Sequence, residues 1–142
     1  MYYVYSTTAR AMKLTKSLDI ALLLLVRLAL RPRLARSAAL SAALDVPPSH
    51  VAKVVQTLAR GGVLRTRRGK GGGIELAKLP SKILLSDVFT LMEGPLGLLA
   101  CIRDKRICAL TSTCRFRRKI IETQKAIIRI FQATTVADLI PR

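Results

Sequence analysis

The run SHVAKVVQTLARGGVLRTRRGKGGGIELA, Ser49 to Ala77, decides the fold. Its first part places Val51, Val54, Val55 and Leu58 at helical spacing, which predicts a helix over Ser49–Arg60 with one apolar face. Ser49, His50, Lys53, Gln56 and Thr57 fall on the other face. Gly61-Gly62 stops the helix. Val63–Arg67 and Gly73–Ala77 then read as two short strands joined by the basic tip Arg68-Gly69-Lys70-Gly71-Gly72. Glycines at such a tip permit positive φ and let backbone N–H groups approach phosphates. Upstream, Ala35–Leu44 is rich in Ala and Leu and reads as a helix. Asp45-Val46-Pro47-Pro48 is a turn, because paired prolines cannot continue a helix. Two helices across a short turn, followed by a glycine-rich hairpin, describe a mainly α, winged helix-turn-helix.

Outward from this unit, Thr15–Leu30 is expected to form a helix capped by Thr15 and ended by Pro32. Its apolar stripe is Leu18, Ala21, Leu22, Leu25, Leu28 and Ala29. Ile83–Met92 is a further amphipathic helix, started by Ser86 or Ser81 and broken at Gly94-Pro95. Leu96–Thr113 reads as irregular. A last long helix runs from about Cys114 to Ala133, with a stripe of Phe116, Ile120, Ile127 and Phe131 widened by Ile121, Ile128 and Ile130. The expected division is an N-terminal extension at 1–11, a DNA-binding unit at 12–95, a cysteine-rich segment at 96–113 and a helix with its tail at 114–142. Met12 is a candidate start residue.

The chain of 142 residues carries 25 Lys and Arg against 8 Asp and Glu, a formal net charge of +17. So basic a domain reads as a binder of a polyanion. An anionic membrane surface would attract the same charge. The placement of Arg60, Arg65, Arg67, Arg68 and Lys70 at the helix end and on the hairpin favours duplex DNA, with Lys53 and His50 just before them. The helix would enter the major groove and present His50, Gln56 and Thr57 to base edges, and the wing would follow the backbone or the minor groove. One histidine and eight scattered acids supply no nucleophile–base pair or carboxylate dyad, so an enzyme is not expected. No apolar run reaches the length a bilayer needs, and no membrane partner is expected.

All three cysteines fall in one segment, spaced Cys101-x6-Cys108-x5-Cys114. An odd number without an export signal argues against a disulfide framework and for free thiols or metal ligands in the cytoplasm. Thiolates suit Zn, Cu(I) or iron–sulfur clusters. The tight Cys pairs of a structural zinc site are missing. A cubane cluster tolerates wider spacing but needs a fourth ligand. Asp104, inside the segment, and Asp19, on the first helix, are both open candidates. Arg103, Lys105, Arg106 and Arg115 would lower thiol pKa values nearby.

These residues together resemble the NsrR/IscR family of iron–sulfur winged-helix repressors. The likeness runs from about Met12 to Leu139. It is carried by Lys13-Leu14-Thr15, the wing run Arg68-Gly69-Lys70-Gly71-Gly72-Gly73, Leu76-Ala77-Lys78 leading to Pro80 and Ile83, the three cysteines, and Thr135-Val136-Ala137-Asp138-Leu139. Within the family, Asp19 and His50-Val51-Ala52-Lys53 are similar to the nitric-oxide-sensing NsrR branch. The first cysteine gap, six residues, is one longer than is usual there. The resemblance implies a homodimer through the long C-terminal helix and binding to a palindromic operator. It also implies an iron–sulfur cluster, 4Fe–4S in preference to 2Fe–2S, on Cys101, Cys108, Cys114 and Asp19, with Asp19 supplied across the dimer. Nitric oxide would be the signal and the bacterial nucleoid the location. An iron- or redox-responsive repressor with the same cluster, or a cluster-free DNA-binding module with structural cysteines, are the alternatives.

Overall fold

The computed structural model describes residues 14–31 and 33–141. The extension 1–11, the candidate start Met12 and the helix terminator Pro32 lie outside the described residues. Helix α1 spans Lys16–Leu30, and Thr15 caps it by accepting a hydrogen bond from the Leu18 N–H at 3.3 Å. Leu18, Ile20, Ala21, Leu24, Leu25 and Leu28 are buried, a wider face than the expected stripe. Leu22 and Ala29 are only partly covered. The difference arises because α1 is the centre of the fold and is packed from several sides.

Helix α2 (Ser37–Leu44) begins two residues later than Ala35. Ala35 is extended instead, and exchanges two backbone hydrogen bonds with Ile74, at 2.9 and 2.8 Å. Asp45 leaves α2 in the left-handed region at φ 51°. Helix α3 (Pro48–Arg60) follows with proline in its first turn, where the fixed φ suits a helix and the missing N–H costs nothing. It buries Val51, Val54, Val55 and Leu58 against α1, α2 and a later helix, α4 (Leu85–Glu93).

Strands β1 (Leu64–Arg67) and β2 (Gly73–Leu76) pair antiparallel, in the register Leu64↔Leu76, Arg65↔Glu75, Thr66↔Ile74 and Arg67↔Gly73. Strand alternation buries Leu64 and Ile74 on one face and puts Arg65, Arg67 and Glu75 together on the other. The tip turns through Gly69 at φ 92° and Gly71 at φ 86°. At Gly72 a Cβ would stand 2.2 Å from the Arg67 carbonyl oxygen, so only glycine closes this loop.

Neither Ser81 nor Ser86 caps α4: its first turn has no side-chain cap, and Ile83 is extended and buried just before it. The segment 96–113 is not irregular throughout. It holds a short helix α5 (Ala100–Arg103) and a 3-10 turn at Lys105–Ile107. Helix α6 (Arg115–Ala133) has no fully buried residue. One expected member of its stripe turns inward: the Phe131 ring packs on Phe89 of α4, centroids 5.3 Å apart. A final 3-10 turn, Val136–Leu139, returns to α1 and buries Val136 completely. Thr135 and Asp138 close it as a capping box. The result is a mainly α winged helix around one aliphatic core.

Candidate nucleic-acid interface and cysteine segment

The exposed face of α3 carries Ser49, His50, Lys53, Gln56 and Arg60. Burial of the valine face forces this outcome, since Val51, Val54, Val55 and Leu58 claim the opposite side. Between α3 and the wing lies an open cleft of about 990 Å³. Lys53, Gln56, Arg60 and Arg67 line it, together with the backbone of the wing glycines. Four of the ten expected DNA-facing residues therefore share one concave surface. Arg68 and Lys70 stand at the exposed wing tip. Ser49 belongs to the first turn of α3, which begins one residue earlier than expected, at Pro48. Thr57 is half-buried, and its hydroxyl donates to the Lys53 carbonyl at 3.1 Å, which ties it to its own helix.

Arg36 lines the same cleft and was not among the expected residues. It precedes the first turn of α2, where the free N–H groups of a helix start favour an anion. A basic residue immediately ahead of the first helix of a helix-turn-helix was the available signal. Arg65 and Arg67 are not free cations. Both face Glu75, with N···O distances of 4.0 and 3.1 Å.

The three cysteines are free thiols. Cys101 lies in α5 and is half-buried, Cys108 is exposed, and Cys114 is the N-cap of α6. The Arg117 N–H donates to Cys114 Sγ at 3.3 Å, and Arg117 Nε donates to the Cys101 carbonyl at 3.2 Å. Arg117 also lines a shallow hollow beside Cys108. One arginine thus touches the surroundings of all three thiols. The Gln124 side chain of α6 accepts the Leu98 N–H at 3.3 Å and fastens the start of the segment.

The chemistry of this donor set fits thiolate ligation: soft donors, a helix N-terminus at Cys114, and a cationic rim. Among the described residues, no three of the His, Cys, Asp and Glu side chains converge tightly enough to hold a metal ion. Asp104 is committed elsewhere. Its carboxylate accepts from Arg106 Nε, Nη2 and the Arg106 N–H at 3.2, 3.3 and 2.9 Å. The Arg106 side chain, and then its backbone N–H, hold the Asp104 pKa below the ordinary carboxylate value. Asp19 is exposed in the first turn of α1 and has no such commitment among the described residues.

A protein-family model described as "Rrf2: Iron-dependent Transcriptional regulator" matches residues 14–142. The HTH-type transcriptional regulator NsrR of Geobacillus kaustophilus is 36% identical over 102 residues, covering 71% of this chain and 69% of that protein. The HTH-type transcriptional repressor NsrR of Streptomyces coelicolor is 34% identical over 134 residues, covering 91% of this chain and 88% of that protein. Among solved structures, CymR (YrzC), the global cysteine regulator of B. subtilis, superposes with a TM-score of 0.72 at 19% identity. It covers 91% of this chain and 96% of its own, a likeness of fold.

Proposed function

From the premise that this chain belongs to the Rrf2 family of transcriptional regulators, we propose that it is a dimeric DNA-binding repressor carrying an iron–sulfur cluster and responding to nitric oxide. The observation that carries the reading is the position of the three free thiols. All lie in the short segment between the winged helix and α6, tied to α6 through Arg117 and Gln124. The NsrR relatives and the iron-dependence in the family description support it.

On this reading α3 enters the major groove, with His50, Lys53 and Gln56 toward base edges, and Arg68 and Lys70 engage phosphates. Cys101, Cys108 and Cys114 would hold the cluster, and Asp19 of a second copy would complete its ligands. The cluster, when bound, supplies iron open to a diatomic gas or an oxidant. The protein's own contribution is to steady Cys114 through the Arg117 N–H and to offset negative charge with the surrounding guanidinium groups. Dimerisation has a surface ready. Phe116, Ile120, Thr123, Ile127 and Ile130 repeat at spacings of four and three along α6, and Phe116 and Ile130 are each 62% exposed. A two-fold dimer reads a palindromic operator.

Anaerobic purification tests the reading. The expected protein is coloured, contains iron, and loses both its visible absorbance and its retarded DNA band on exposure to nitric oxide. A colourless protein that binds DNA equally well after Cys101, Cys108 and Cys114 are all changed to Ala would sink it and leave the cluster-free module. Asp19→Ala isolates the fourth ligand: unchanged cluster stability and nitric-oxide response would remove Asp19 from the site. A second reading, an iron- or redox-responsive repressor using the same thiols, is favoured by the exposure of Cys108 and the longer first cysteine gap. DNA release on iron limitation or oxidation, with no response to nitric oxide, would select it.

A further inference from the structure

From Arg31 to Lys82 the chain has eleven Lys and Arg but two acids, Asp45 and Glu75. Asp45 belongs to the turn after α2. Glu75 stands in the middle of the wing's basic face. Its cross-strand partner is Arg65, and Arg67 is the diagonal neighbour. Arg67 Nη2 lies 3.1 Å from Glu75 Oε1, and Arg65 Nη1 lies 4.0 Å from the same oxygen. The two arginines are largely exposed, at 57% and 61% of their side chains, and Glu75 much less so, at 28%. Glu75 Oε1 is buried and lacks a hydrogen bond of good geometry. Ion pairs with arginines this exposed contribute little to stability, so hairpin strength is a poor account of why an acid stands here.

The neighbours of Glu75 suggest another account. Arg67 lines the cleft between α3 and the wing, where a phosphate would bind. Glu75, on the same face of the hairpin as Arg67, lines a second hollow with Arg33 and Lys78. Arg67 thus has two partners open to it, Glu75 beside it and a phosphate in the cleft. We propose that Glu75 is a positioning residue that competes with DNA phosphate for Arg67 and Arg65. It lowers the charge the wing offers any duplex and sets how steeply binding depends on salt. The inference rests on the DNA-binding reading of the wing.

Replacing the acid by its neutral isostere frees about one cation per protomer, or about two per dimer, which steepens the salt slope by about 1.8. Over a fourfold rise in salt, Glu75→Gln would then lose about twelvefold more affinity than the parent, starting from tighter binding at low salt. The experiment is fluorescence anisotropy of a labelled random-sequence duplex titrated at several salt concentrations, with unfolding curves recorded for every variant. Asp87→Asn on α4 removes the same formal charge away from the wing and controls for net charge. Glu75→Asp keeps the charge and is expected to keep the parental slope. In the Arg67→Gln background the effect of Glu75→Gln should largely vanish, because its main partner is gone. A Glu75→Gln slope and affinity equal to those of Asp87→Asn would overturn the proposal, as would a full Glu75→Gln effect without Arg67. No salt-dependent duplex binding by the parent protein would instead overturn the DNA reading itself, and this one with it.

Discussion

Neutralising the wing tip with Arg68→Gln and Lys70→Gln should flatten the salt dependence of DNA binding more than neutralising Arg65 and Arg67 would. Both side chains are exposed, and among the described residues neither has an acidic partner, unlike Arg65 and Arg67. Their charge is therefore fully available to phosphate. Two cations per protomer make about four per dimer, and at about 0.9 per neutralised phosphate the slope of log K against log salt should fall by about 3.6. Between about 50 and 200 mM salt the parent should lose about 150-fold more affinity than the variant. The loss should be uniform across sequences, since phosphate contacts fix position without reading bases. The assay is anisotropy on two unrelated duplexes, with circular dichroism to confirm that the hairpin persists. Gly69, Gly71 and Gly72 are untouched, so the tip conformation should hold. An unchanged slope in a folded variant would mean that the tip never reaches DNA and is a solvated basic loop.

Two other outcomes follow from the same structure. Ile130→Asp places a charge on the exposed seam of α6 but away from the core, so it should turn a dimer into a monomer in sedimentation velocity while shifting monomer stability by no more than about 0.5 kcal/mol; a variant that stays dimeric would move the interface off this seam. The Asp138 carboxylate accepts from the Thr135 hydroxyl and N–H at 2.7 and 2.8 Å, which hold its pKa below the ordinary value. Its contribution to stability is therefore present above the unfolded carboxylate pKa and is lost as pH falls through the lower folded value. Asp138→Asn should flatten the acid limb of a stability-against-pH curve measured by denaturant unfolding, and an unaltered limb would refute the assignment.

Helix α3 was legible because four apolar residues at positions 51, 54, 55 and 58 leave no other face to bury. The wing was legible because its glycines are needed where the structure has positive φ or no room for a Cβ. Ala35 was not. Its extended conformation depends on Ile74, thirty-nine residues away, and local propensity in an Ala-rich run points to a helix. The inward turn of Phe131 was equally hidden, since helical spacing places it on a stripe but only Phe89 decides which way that edge faces. Complete burial of Val136 depends on the chain returning to α1, which a four-residue 3-10 turn does not announce. At the cysteines, the three thiols and their spacing were legible. The engagement of Asp104 by Arg106 became visible only in three dimensions, because an exposed pair two residues apart leaves no mark on spacing or periodicity.

The cysteine segment and α3 are joined by a short packed route. Arg117 and Gln124 bind the segment to α6, and Phe131 of α6 packs on Phe89 of α4. Helix α4 lies against α3 so closely that a Cβ on Gly61 would stand 2.3 Å from Leu91 Cδ1. Close-packed side chains transmit displacement rather than absorbing it. On the proposed reading, a shift of α5 against α6 would reach the end of α3 through these two contacts. On the proposed reading this makes the angle of α3, rather than the charge of the wing, the quantity that the state of the thiols controls. Loaded and iron-free protein should then differ in how well they discriminate an operator from a random duplex while sharing one salt slope; anisotropy titrations of both forms on both duplexes at several salt concentrations check this, and equal discrimination would refute it.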